Sequence, residues 1–127
     1  MTPPPRPTPA ELEILRLLWE NGPSTVREIQ ERMERQRPPG YTTALKLLQI
    51  MTDKGLVRRD ETARAHVYAA RAPEDQTQRQ LVRDLLDRAF GGSATKLVMH
   101  ALSARKTSRA ELARIREMLD RLEGGEG

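Results

Sequence analysis

The sequence predicts a mostly α chain with one small β-hairpin, ordered as three helices, the hairpin and three more helices. Three observations carry this expectation. Boxes of the form Ser/Thr-x-x-Glu stand at Thr8–Glu11, Thr25–Glu28 and Ser108–Glu111, each followed by apolar residues at helical spacing. Two short β-type segments flank the stretch from Asp60 to Arg64. Pro73 then breaks the chain before helical periodicity resumes.

The first helix opens at Thr8 with Pro9 in its first turn, carries Leu12, Leu15, Leu18 and Trp19, and stops at Asn21-Gly22-Pro23. The second opens at Thr25 and shows Val26, Ile29 and Met33 on one face, and Pro38-Pro39-Gly40 ends the connection after it. The third runs from near Thr42 to Lys54, where Gly55 can take the left-handed conformation of a helix stop. In it Ala44, Leu47, Leu48 and Met51 form a buried stripe, and Thr42, Lys46 and Gln49 share another face. Leu56–Arg59 and Ala65–Ala69 read as antiparallel strands, too short to stand without the helices behind them. The later helices carry Leu81, Val82, Leu85, Leu86, Ala89 and Phe90, then Leu97, Val98, Met99, Ala101 and Leu102, then Leu112, Ile115, Leu119 and Leu122. Gly91-Gly92 closes the first of these and Ser93 caps the next; the tail from Glu123 is expected to fray.

Composition excludes whole classes of chemistry. The chain of 127 residues has no cysteine, so disulfides, thiolate metal sites and cysteine nucleophiles are ruled out. His66 and His100 have no ligand-spaced neighbours, and the carboxylates are scattered beside arginines as ion pairs. No nucleophile sits with a base. The expectation is a protein with no catalytic residue, no metal and no cofactor. Only Trp19, Tyr41, Tyr68 and Phe90 are aromatic, which argues against stacking of single-stranded bases. A proline-rich start without an apolar run, and no stretch of membrane-spanning length, make a cytoplasmic location the default.

The charge is unevenly placed. The net charge is +4, yet residues 1–34 are net acidic and residues 73–127 nearly balanced. Arg35, Arg37, Lys46, Lys54, Arg58, Arg59, Arg64 and Arg71 face only Asp53, Asp60 and Glu61 in the middle segment. Phosphate is the usual partner of such a segment.

Helix, helix, helix and hairpin is the order of a winged helix-turn-helix, in which the third helix enters the major groove of double-stranded DNA. Thr42, Thr43, Lys46 and Gln49 would face the bases, and Tyr41, Arg58, Arg59 and Arg64 the backbone. The second half argues for a homodimer. Three short helices bury too little alone, and the first is apolar on two edges: Leu81 and Leu85 on one, Val82, Leu86 and Phe90 on the other. With Leu112, Ile115, Leu119 and Leu122 these form the expected dimerisation surface. The organisation is therefore an N-terminal arm (1–7), a winged helix domain (8–72) and a C-terminal three-helix dimerisation module (73–127). Two other classes fit the same composition. One is a helical protein-interaction module without sequence-specific DNA binding. The other is a winged-helix regulator with a small-molecule pocket, for which the aliphatic second half offers no polar lining.

From about Pro9 to Leu122 the chain resembles the penicillinase-repressor family, which includes methicillin-resistance and copper-responsive repressors. The marks are Glu11-Leu12-Glu13-Ile14-Leu15, Leu18-Trp19, Thr25-Val26-Arg27-Glu28-Ile29, Tyr41-Thr42-Thr43-Ala44, Lys54-Gly55-Leu56-Val57, Arg64-Ala65-His66-Val67-Tyr68 and Phe90-Gly91-Gly92-Ser93. The resemblance implies a homodimeric repressor on a palindromic operator, an antibiotic-resistance type of regulator. It also implies release through a membrane-embedded sensor metallopeptidase that cuts the repressor, by position near His100-Ala101. The chain departs from the family at that point, where the well-known cut lies in an Asn-Phe pair. It departs again in lacking the cysteine cluster of the copper-responsive branch, and in placing Leu45 and Ile50 where some relatives have arginine.

Overall fold

The computed structural model describes residues 6–33, 40–62 and 64–125. The expectations for the N-terminal arm before Arg6, for Pro38-Pro39 and for the last two residues of the tail lie outside them. The elements follow the order α1 (Pro9–Asn21), β1 (Ser24–Thr25), α2 (Val26–Arg32), α3 (Tyr41–Lys54), β2 (Val57–Asp60), β3 (Val67–Ala70), α4 (Glu74–Arg88), α5 (Ala94–Ala104) and α6 (Arg109–Glu123). The chain divides into two compact units, Met1–Leu81 and Val82–Gly127, with the division inside α4.

All three capping boxes form. Thr8, Thr25 and Ser108 each accept from the amide three residues on, and Glu11, Glu28 and Glu111 return to the cap amides. Gly55 ends α3 at φ +83°, in the left-handed region. Gly91 and Gly92 close the turn after α4, with the Gly92 amide donating to the Leu86 carbonyl at 2.8 Å.

The core of the first unit is Ile14, Leu15, Leu18, Val26, Ile29, Met33, Ala44, Leu48, Met51, Val57 and Tyr68. It differs from the sequence expectation at four residues. Leu12 and Leu47 are only half-buried, while Ile14 and the carboxylate of Glu11 are fully inside. The sheet has three strands, in the order β1-β3-β2, all antiparallel. The hairpin is as expected in kind, with its strands shifted one or two residues along the chain, but β1 is an addition. Its two residues, paired with Tyr68 and Val67, are too few to leave a periodic signal, and Thr25 doubles as the cap of α2. The Trp19 indole donates to the Ala72 carbonyl at 3.0 Å, so the chain leaving β3 is tied to α1. Thr77, in the first turns of α4, is buried in the same unit.

In the second unit α5 and α6 have no buried residue. Val82, Leu85, Val98, Met99, Met118, Leu119 and Leu122 are all exposed, Met99 to 63% and Leu119 to 53%. Of the seam expected on α6, Leu119 and Leu122 are exposed within the single chain, and Leu112 and Ile115 are half-buried.

Candidate nucleic-acid interface

The outward face of α3 follows from its inward one. Ala44, Leu48 and Met51 are buried completely, which turns Tyr41, Thr42, Thr43, Lys46 and Gln49 to solvent. The helix is capped by Gly40 with no side-chain bond, so the hydroxyls of Thr42 and Thr43 are not used as caps. Ile50 lies on this surface too, 39% exposed.

Two features hold α3 in place. Its Lys54 ammonium binds both oxygens of Glu11 on α1, at 2.9 and 3.0 Å. Burial opposes ionisation of Glu11, but the Thr8 amide and the Lys54 ammonium outweigh it, and the carboxyl titrates below its ordinary range. The Leu56 amide donates back to the Met51 carbonyl across the Gly55 turn, which sets the angle at which β2 leaves the helix.

The wing is β2, β3 and the turn between them. Asp60 accepts from the Thr62 amide at 2.9 Å and from its hydroxyl at 2.7 Å, and these bonds hold the Asp60 carboxyl below its usual range. The register sets Arg59 opposite Tyr68 and Arg58 opposite Ala69. Neighbours on a strand point to opposite faces. Arg59 and Arg64 accordingly share a cleft with Tyr41 and Gln49, whereas Arg58 lies with Trp19, Arg71 and Pro73 on the other side. Seven of the eight expected DNA-facing residues, Tyr41, Thr42, Thr43, Lys46, Gln49, Arg59 and Arg64, thus lie on α3 or on the wing side beside it; Arg58 does not. Arg59 binds Glu61 at 2.7 Å. The Tyr68 hydroxyl, and then this carboxylate, raise the pKa of the Arg59 guanidinium above its ordinary value.

Two residues of this surface escaped the sequence reading. Arg27, in the first turn of α2, and His66, just before β3, both line the cleft. Arg27 follows the buried Val26 and precedes Ile29, so its outward position was implicit in the α2 stripe.

In the second unit, Leu86, Phe90, Leu112 and Ile115 are half-buried, and Val82, Leu85, Leu119 and Leu122 are exposed; Leu81, half-buried, ends the first unit. His100 and Ala101 lie well inside α5, both exposed, with the His100 ring 5.7 Å from that of Phe90. Among the described residues no cluster of His, Asp or Glu could hold a metal ion, and no helix is long and apolar enough to cross a membrane.

The penicillinase repressor family matches residues 7–121. The transcriptional regulator BlaI of Mycobacterium tuberculosis, in the strains CDC 1551 / Oshkosh and H37Rv, is 31% identical over 119 residues, covering 92% of this chain and 85% of that protein. A penicillinase repressor of Staphylococcus aureus is 18% identical over 111 residues, 87% of this chain and 88% of that one. The solution structure of the DNA binding domain of the repressor BlaI superposes with a TM-score of 0.50 at 22% identity, over 58% of this chain and 90% of that chain, and shows a shared fold.

Proposed function

Because the chain belongs to the penicillinase repressor family, we propose that it is a DNA-binding transcriptional repressor acting as a homodimer on an inverted-repeat operator. It is a regulator and not an enzyme. Residues 8–72 form the DNA-binding domain and residues 73–127 the dimerisation module. One observation carries the reading: the polar face of α3, free of capping duties, stands beside the cationic face of the wing. Thr42, Thr43, Lys46 and Gln49 address base edges, and Tyr41, Arg59 and Arg64 meet the backbone. Arg58 takes a phosphate only where DNA reaches round to the second face of the wing.

The dimer is supported by the apolar side chains that the second unit leaves in solvent. A second copy of the same helices covers them through a two-fold interface, which in turn presents two copies of α3 to related half-sites. Cleavage at His100-Ala101 by a membrane sensor metallopeptidase is the proposed route of release. The bond lies within α5, so its turn must unwind before a protease can hold it. A repressor with these partners works in the cytoplasm.

The test is a mobility-shift titration on the DNA upstream of the reading frame, with unrelated DNA as competitor, at two salt concentrations. A shift that resists the competitor and weakens steeply with salt is expected. No selective shift would favour the protein-interaction reading instead.

A further inference from the structure

The cleft between α3, the start of α2 and the wing has a volume of about 520 Å³. That is the size of a small-molecule site, roughly 300–1,000 Å³. Its walls combine two chemistries. Val26, Leu45 and the ring of Tyr41 are apolar, while Arg27, Arg59 and Arg64 are cationic, and none of its described lining residues is acidic. Lining it is Tyr68, fully buried, whose hydroxyl lies next to the Arg59 guanidinium but meets no partner at good hydrogen-bond geometry. A buried hydroxyl left in that state is costly, and an acceptor brought to it beside Arg59 is stabilised twice, by the hydroxyl and by the guanidinium N–H groups that the Glu61 pair leaves open.

A DNA phosphate alone does not use this arrangement. It gains from the arginines but nothing from Val26, Leu45 or the Tyr41 ring, since apolar surface stabilises only apolar groups. We propose that the cleft binds a small aromatic oxyanion, a planar ring bearing a carboxylate or phosphate, and that the bound ligand competes with DNA. The oxyanion takes Arg59 and the Tyr68 hydroxyl; the ring lies between Leu45 and Tyr41. Competition follows because Tyr41, Gln49, Arg59 and Arg64 belong both to the cleft and to the proposed DNA-facing surface. That half of the proposal rests on the repressor reading, whereas ligand binding does not. The polar pocket absent from the second half of the chain is thus supplied by the first.

Calorimetry on the full chain without DNA tests the site, with benzoate, phenyl phosphate, inorganic phosphate and phenol as probes. The two ring oxyanions should saturate one site per chain at least about tenfold more tightly than inorganic phosphate or phenol. Tyr68→Phe, which keeps the buried ring, and Arg59→Gln should each weaken them about fivefold or more, with no fall in melting temperature for Tyr68→Phe. No saturable binding of either ring oxyanion overturns the site. Equal binding of inorganic phosphate overturns its aromatic half and leaves a seat for the DNA backbone alone. DNA displacement followed by fluorescence anisotropy tests competition. Ligand that binds without loosening DNA overturns competition, and a protein that binds ligand but no DNA fails at the repressor reading and not at the site.

Discussion

Gly55 and Glu11 show how single residues fix the angle of α3. At φ +83° Gly55 holds a conformation that L side chains rarely adopt, with nothing within 4 Å of where a Cβ would stand. Gly55→Ala therefore costs only backbone strain, about 1–2 kcal/mol, read as a lower midpoint of urea unfolding. Glu11 is 2% exposed and its partner Lys54 34%, so the pair is screened on one side only. Glu11→Gln should cost about 1.5–3 kcal/mol at neutral pH, the value of a charge-assisted bond. Because its folded pKa lies below the ordinary 4.5, the carboxylate stabilises the fold above that pH and loses the contribution as pH falls through the folded value. Urea midpoints of wild type and Glu11→Gln should thus differ at neutral pH and draw together as the pH falls below the ordinary carboxylate range. The boxes at Thr8, Thr25 and Ser108 were legible because both partners lie three residues apart. The burial of Glu11 was not, since its second partner lies 43 residues away.

Among elements, α3 was the most legible, because a stripe at 3.6-residue period defines its opposite face at once. The wing was legible as a hairpin but not in detail. Arg58 and Arg59 look equivalent in sequence, and only the register, Arg59 opposite Tyr68, separates them. That register depends on pairing to a distant strand, as does β1. Lys46→Ala should lower operator affinity by about tenfold and reduce the salt slope by about one, with an unchanged melting temperature. Anisotropy titrations at several salt concentrations read both quantities. An unaltered affinity removes Lys46 from the interface.

At the scale of the molecule, two contrasts were visible in charge and in amphipathicity: the basic segment coincides with α3 and the wing, and the apolar excess lies in α4 to α6. The point where the compact units divide, within α4 at Leu81, was not visible, because the helix is continuous through it and Pro73 gives the stronger local break. Leu85 and Leu119 are 47% and 53% exposed, so a charge there leaves the monomer fold intact. Leu85→Glu and Leu119→Glu should each move the protein from dimer to monomer in sedimentation equilibrium and weaken operator binding with it. A variant that sediments as an unchanged dimer excludes its residue from the interface. The most direct test of a two-fold repressor is a hydroxyl-radical footprint on the upstream DNA. Two protected segments related by a dyad, their centres one or more helical turns apart, are predicted. A single unsymmetrical patch, or uniform protection that unrelated DNA removes, would contradict it.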